Sequence, residues 1–218
     1  MPIALSERLQ TVYAMVRKGE SVADIGSDHG LLIVALCHNG VISHGYASDN
    51  KKAPFQRLEK AVKDANLTDK IVVDLADGIA HLPSFIDTVV LAGMGGDLIA
   101  HILQAEPHRL DQVKHIIVAP NSHVPLVRFT LSKIGFCIVS ETIVFEKHYY
   151  EIIKAERGNV VYEELDFEYG PLLRSAKSET FKRKYAERLV SIDALLTEKL
   201  SSRRRAELLK EKERILDL

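Results

Sequence analysis

The stretch 22-VADIGSDHGLL-32 decides how the rest of the chain is read. Residues 21–25 form a short apolar run, residues 26–30 a polar loop with two glycines, and Leu31 opens a second apolar segment. A strand that breaks at glycines into a helix is where open α/β sheets place ligands, since glycine admits close backbone approach. The same residues also make a plain tight turn. On the N-terminal side, Leu5, Leu9, Val12 and Val16 share one helical face behind a Ser6 cap, which predicts a helix over 6–17 ended by Gly19. On the C-terminal side, Val- and Ile-rich runs at 41–48, 71–75, 86–92 and 115–119 alternate with helical segments at 30–38, 51–65, 96–105 and 124–134. That alternation predicts an α/β fold, a mostly parallel sheet with helices on both faces. After Gly135 two strand-like runs, 136–146 and 148–155, are close enough to pair as a hairpin and finish the sheet antiparallel.

Acidic residues stand at the carboxyl ends of three successive strands. The first loop reads D-x-G-x-D-x-G, with Asp24, Gly26, Asp28 and Gly30. A dinucleotide site prefers G-x-G-x-x-G, and Asp28 in that loop repels a pyrophosphate. It suits a cofactor with a cationic end and no phosphates, and S-adenosylmethionine carries an ammonium, a sulfonium and no phosphate. Asp49, followed by Asn50, ends the second run, where a carboxylate either accepts both ribose hydroxyls or caps the next helix. Asp77 and Gly78 end the third, either binding an adenine amine with the ring close by or forming a common Asp-Gly turn. Gly93, Met94 and Gly95 end the fourth as an open backbone wall or a packing turn, with a helix beginning at Asp97. Pro120 and Asn121 end the fifth, the amide serving to fix a base edge or to cap the turn. His29 borders this rim as a substrate contact or as a loop residue bonded locally.

Other chemistries lack support. The nine histidines show neither HExxH nor paired spacing with cysteine, so no metal site is expected. There is no nucleophile elbow and no GxxxxGK[ST] phosphate loop. Cys37 and Cys137 sit apart in apolar sequence, as buried thiols of a reducing compartment do. The segment 1–17 is amphipathic, and no stretch nears the roughly 18 apolar residues of a membrane span, so a cytoplasmic protein is expected.

Charge divides the chain. Residues 174–218 hold 13 Lys and Arg against 8 Asp and Glu, a balance of +5, which leaves residues 1–173 at −6. A basic tail attracts a polyanion or simply solvates a helix. After a Gly-Pro break at 170–171, Phe181, Tyr185, Leu189, Ile192, Leu196 and Leu200 make one helical stripe. Polar residues 201–205 interrupt it, and apolar positions resume at Leu208, Leu209, Ile215 and Leu216, which favours two antiparallel helices over one longer bent helix. Lys182, Arg183, Lys184, Arg203, Arg204 and Arg205 are the candidates for gripping phosphates. The expected division is a domain over 1–158 and a helical one over 159–218.

The motifs DIGSDHG, GMGG and Pro120-Asn121, with LSERL at 5–9 and YYEII at 149–153, together resemble the bacterial tRNA (adenine-22-N1)-methyltransferase family. The resemblance implies a Rossmann-like class I methyltransferase domain that binds S-adenosylmethionine and a C-terminal coiled coil that helps hold tRNA. It implies that Asp24, Gly26, Asp28, Asp49, Asp77 and Gly93 to Gly95 line the cofactor site. Leu31 and Ala119 depart from the family, standing where an aromatic and a glutamine are usual. Adenine N1 has its own lone pair, so orientation is expected to dominate the rate, with Asp28 or the carbonyls near Gly93 and Ala119 steadying the developing charge. Asn121 is the candidate for positioning the base, and Arg8 is expected to hold the base or a phosphate or to be a surface charge. The base must leave the tRNA fold to react. Two rivals stay open: a methyltransferase for a small molecule or protein whose tail dimerises, and a non-catalytic tRNA-binding protein.

Overall fold

The computed structural model describes residues 4–218; Met1, Pro2 and Ile3, the start of the amphipathic segment, lie outside them. Seven strands form one sheet: β1 (Val22–Ile25), β2 (Gly45–Asp49), β3 (Ile71–Leu75), β4 (Thr88–Ala92), β5 (His115–Ala119), β6 (Phe136–Glu146) and β7 (His148–Arg157). Their order is β3-β2-β1-β4-β5-β7-β6. The first five pair in parallel, β7 lies antiparallel to β5, and β6 and β7 form the closing hairpin. The expected α/β architecture with an antiparallel end is therefore present.

Period-2 alternation sends neighbouring side chains to opposite faces. Ala23, Ile25, Val89, Leu91, Ile116 and Val118 pack on one face with α4 (Gly96–Ala105) and α5 (Val124–Lys133). Val22, Val90, Ile117 and Ala119 pack on the other with α1 (Glu7–Met15), α2 (Leu31–His38) and α3 (Lys52–Asp64). Both faces being covered, β1 and β5 are buried along their whole length and are mostly apolar, with Asp24 and His115 the buried polar exceptions.

Several boundaries differ from expectation for local reasons. Ser6 does cap α1, accepting from the Leu9 N–H, but the helix ends at Met15 because Val16 turns extended (φ −74°, ψ 128°) and drives its side chain into the core. The run at 41–48 is a strand only from Gly45. Ahead of it, Gly40 (φ +65°) turns the chain so that the Val41 and Ile42 N–H groups donate to the Leu36 carbonyl and close α2. Helix α4 begins at Gly96, one residue before Asp97. Two short helices, α6 (Glu164–Tyr169) and α7 (Pro171–Ala176), precede the expected helical pair, neither singled out by the sequence pattern. Glu163 and Asp166 form a capping box that starts α6, and neither helix is long enough to show a stripe.

The chain resolves into two compact units, Met1–Leu172 and Leu173–Leu218. In the second, α8 (Glu179–Leu196) and α9 (Ser202–Leu216) each start at a serine cap, Ser178 and Ser201, and run antiparallel. Arg188 bonds Glu211 at 2.6 and 2.8 Å, Lys212 meets Asp193 at 2.5 Å, and Ile192 and Leu208 are fully buried. The turn of the helical hairpin lies at 197–201, ahead of most of the polar interruption, whose residues 202–205 form the first turn of α9, and Leu200 falls beyond α8.

Candidate functional site

Strand order reverses between β1 and β4, and open sheets bind ligands at the carboxyl ends of the strands flanking such a switch point. Two adjoining clefts open there, of about 360 and 240 Å³. They share Gly26, Asp28 and Gly93. The larger is bounded by Asp49, Asn50, Asp77 and Gly78 on one side and by Met94, Leu98 and Ile102 on the other. The smaller reaches Asp24, Ser27, His29 and Arg8. The larger volume falls within the roughly 300–1,000 Å³ usual for small-molecule sites.

Glycine conformation shapes the walls. Gly26 is left-handed (φ +75°), and a Cβ there meets the Met94 methyl at 2.5 Å. Gly93 (φ +82°) faces open space, a Cβ meeting nothing nearer than Arg8 Nη2 at 3.6 Å. Gly96 differs: its Cβ strikes the Ser122 carbonyl at 2.4 Å, so this glycine serves packing between two loops. Gly95 caps α4, Gly30 caps α2 in the left-handed region, and Gly30 lines the smaller cleft while Gly95 lines neither.

Asp24 lies on the apolar α1/α2/α3 side of β1, 6% exposed. Burial raises its carboxyl to about pH 6, even though the Ser27 hydroxyl donates to it at 2.6 Å and pulls the other way. Asp49 accepts the Lys51 N–H at 2.8 Å through one oxygen, which closes the turn ahead of α3 without capping it, Lys51 being the N-cap, and Asp49 still borders the cleft. Asn50 donates to Asp77 at 3.0 Å. Asp28 is held by Arg57, Nε at 2.6 Å and Nη2 at 2.5 Å, with His29 3.6 Å away. That partner, on α3, was missed by sequence reading. It offsets the Asp28 charge, so discrimination against a pyrophosphate falls more on Asp24, Asp49 and Asp77.

The loops after β4 and β5 are laced together. Gly93 N–H donates to the Ala119 carbonyl, and Asn121 N–H to the Met94 carbonyl. The Asn121 side chain is locked: its amide nitrogen donates to the Gly93 carbonyl at 2.7 Å and its oxygen accepts from Arg8 Nη1 at 2.9 Å. Arg8 in turn lies 4.8 Å over the Tyr150 ring, and its Nε is buried with no acceptor among the described residues. Pro120 is buried and His29 exposed. The arrangement can hold a nucleoside with a cationic tail in the acidic clefts and a second planar group beside Asn121.

On the helical hairpin, the candidate phosphate-gripping residues have local acidic or carbonyl partners. Lys182 meets Glu179 at 2.8 Å, Arg183 approaches Glu187 at 3.9 Å, Arg203 and Arg204 share Glu207, and Arg205 donates to the Leu196 carbonyl. Lys184 lies 4.9 Å over the Tyr185 ring. Among the described residues no cluster of His, Cys, Asp and Glu could hold a metal ion, no helix is long and apolar enough to cross a membrane, and both cysteines are free.

Residues 5–153 match the family model of a methyltransferase domain. Over 195 residues the chain is 33% identical to the tRNA (adenine(22)-N(1))-methyltransferase of Bacillus subtilis (strain 168), covering 86% of this chain and 82% of that one. The chain belongs to the tRNA (adenine(22)-N(1))-methyltransferase family. Solved relatives share its fold throughout. A Streptococcus agalactiae protein of the NADB-Rossmann superfamily is 33% identical, spans 100% of this chain and 98% of its own, and has a TM-score of 0.94. A Streptococcus pneumoniae protein solved in complex with S-adenosyl-L-methionine is 31% identical, spans 98% and 99%, and has a TM-score of 0.91. The Rossmann-like methyltransferase sheet expected of the family is the one observed here.

Proposed function

We propose that this chain transfers the methyl group of S-adenosyl-L-methionine to N1 of adenine 22 in tRNA, in the cytoplasm. One observation carries the reading: an acidic, glycine-walled cleft at the switch point of a family methyltransferase sheet runs up to an asparagine locked between Arg8 and the Gly93 carbonyl.

The residues present fit the cofactor. Gly26 and Gly93 leave room along its length, Asp24 with Ser27 offers a buried carboxylate to the ammonium, and Asp49 keeps an oxygen for ribose hydroxyls. Asp77 stands where an adenine amine can donate, with Gly78 (φ +54°), Met94 and Ile102 against the ring. Bound there, S-adenosyl-L-methionine supplies a methyl group activated by a sulfonium. The chain's own task is orientation. Adenine N1 already carries its lone pair, so no residue has to remove a proton before the new bond forms. As N1 gains that bond, positive charge spreads to the exocyclic amine, and the Gly93 carbonyl and the Asp28 carboxylate are acceptors at the cleft mouth. Asn121 has one amide hydrogen and one lone pair to spare for the base edge. Arg8 positions Asn121. The basic residues of 159–218 would hold the tRNA while the base swings out.

Unmodified tRNA incubated with labelled cofactor and then digested to nucleosides tests this. Label in 1-methyladenosine supports it. Label confined to protein or small molecules favours the first rival, and tRNA binding without label favours the non-catalytic one.

A further inference from the structure

Helices α2 and α3 pack side by side, and a groove of about 450 Å³ opens between them to solvent. It shares His29, Gly30 and Leu31 with the smaller cleft, so it leads directly off the rim. Its floor is apolar, with Val34 from one helix and Ala61 and Ala65 from the other, and Leu31 stands beside it 42% exposed. At the far end, about 10 Å along α2 from Leu31, the exposed His38 imidazole and the Asn66 amide make no side-chain hydrogen bond or ion pair among the described residues. Charge marks the same wall. Residues 51–64 hold five Lys and Arg against two Asp and Glu, a balance of +3 within an acidic stretch of chain, and α2 holds no acidic residue. Lys60, its side chain 74% exposed, bonds Asp64 on the groove wall at 2.5 Å.

Two helices laid on a sheet leave a furrow wherever small residues face each other, and a furrow alone selects no ligand. This one joins an apolar slot to two imidazoles, a spare amide and a basic helix, and that set suits a nucleotide: bases are held by stacking and by hydrogen bonds at their edges, phosphates by cations. The exposed Lys60–Asp64 pair contributes little in water, so the ammonium passes to a phosphate at small cost. We propose that the α2–α3 groove holds one unpaired nucleotide next to the methylated adenine in the strand, its base over Val34 and Ala61 beside Leu31, its edge toward His38 and Asn66, and its phosphate on Lys60. This rests on the tRNA reading above and extends it to a contact outside the clefts. Continuity with the smaller cleft at Leu31 makes the occupant the same strand that enters the rim, a requirement that a protein partner does not have. An apolar slot accepts any base, so the groove adds affinity and holds the strand while the adenine turns toward Asn121.

The test measures tRNA affinity, steady-state methyl transfer, cofactor affinity and urea unfolding for the full-length wild type and three variants. Ala61→Leu fills the slot with another good helix former, Ala61→Ser leaves it open, and Lys60→Ala removes the phosphate contact. Ala61→Leu should weaken tRNA binding and raise KM for tRNA by about tenfold, with kcat, cofactor affinity and the urea midpoint unchanged, and Ala61→Ser should match wild type. Lys60→Ala should lower the slope of log affinity against log salt by about one, a readout that packing between two helices does not move. Wild-type tRNA affinity in Ala61→Leu, equal loss in Ala61→Ser, or an unchanged salt slope in Lys60→Ala overturns the proposal, and a groove built for a protein partner gives the first and the last of these. The binding arm reads this without turnover, so a wild type that binds tRNA and transfers no methyl group defeats the methylation reading separately.

Discussion

Arg8 and Asn121 are 113 residues apart in sequence and joined by a 2.9 Å hydrogen bond. Arginine can only donate, and the Gly93 carbonyl on the other side of Asn121 can only accept, so the amide has one orientation that satisfies both. Tyr150 beneath the guanidinium holds Arg8 in place. The rim therefore presents a fixed donor and acceptor pair, set by residues from α1, the loop after β4, and β7.

If that chain acts as a unit, its members are not additive. Arg8→Ala and Asn121→Ala should each lower kcat/KM for tRNA by about 100-fold, and the double variant by little more than either one. Cofactor affinity should stay within a few-fold of wild type. A double variant whose loss is the product of the single losses means that the two residues act independently.

Asp24 links pH to stability and to binding. Its carboxyl rises from 3.8 to about 6 on folding, so the folded state holds the proton more tightly, and the associated stability is complete below pH 3.8 and lost as pH rises through 6. The neutral-pH cost is of the order of 3 kcal/mol. Asp24→Asn should therefore unfold at higher urea than wild type at pH 7, with the gap closing near pH 4, and a gap independent of pH contradicts this. The cationic cofactor needs the ionised form, so its wild-type affinity should fall about tenfold per unit below pH 6, and Asp24→Ala should abolish binding by calorimetry.

Gly26→Ala tests the cleft wall. The Met94 methyl it would meet is the end of a flexible side chain and can move, so the main cost is the left-handed backbone (φ +75°), about 1–2 kcal/mol. The moved methyl narrows the cleft, and cofactor affinity should drop at least tenfold while tRNA binding persists. Unchanged cofactor affinity places the cofactor elsewhere.

Away from the clefts, Arg128 is fully buried between Glu141, at 2.7 Å, and Glu151, and it also donates to the Phe167 carbonyl at 3.0 Å. It ties α5 to both strands of the hairpin and to α6. Arg128→Met strands two buried carboxylates and should cost about 3–5 kcal/mol in urea unfolding. Replacing all three charges by apolar residues should recover most of that loss, and a triple variant as weak as the single one contradicts the account.

The parallel sheet was legible because its buried strands are short, mostly apolar runs ending at glycine, aspartate or proline, and the rim residues were legible because they sit at those ends. What stayed hidden depends on pairing at long sequence distance. Nothing near Asp28 announces Arg57, and nothing near Glu141 or Glu151 announces Arg128. Tyr150 lies in a recognised motif, yet its stacking under Arg8 follows from the antiparallel register of β7. The α6 and α7 helices are too short for periodicity to reveal, and α1 stops early because Val16 is claimed by the core.

The central claim is methyl transfer to one adenine, and two tRNA transcripts that differ only at position 22, adenine in one and guanine in the other, test it under single turnover with labelled S-adenosyl-L-methionine. The account predicts one methyl group per adenine-22 transcript, recovered as 1-methyladenosine, and none on the guanine-22 transcript. Equal labelling of the two transcripts, or none on either with the cofactor bound, would contradict it.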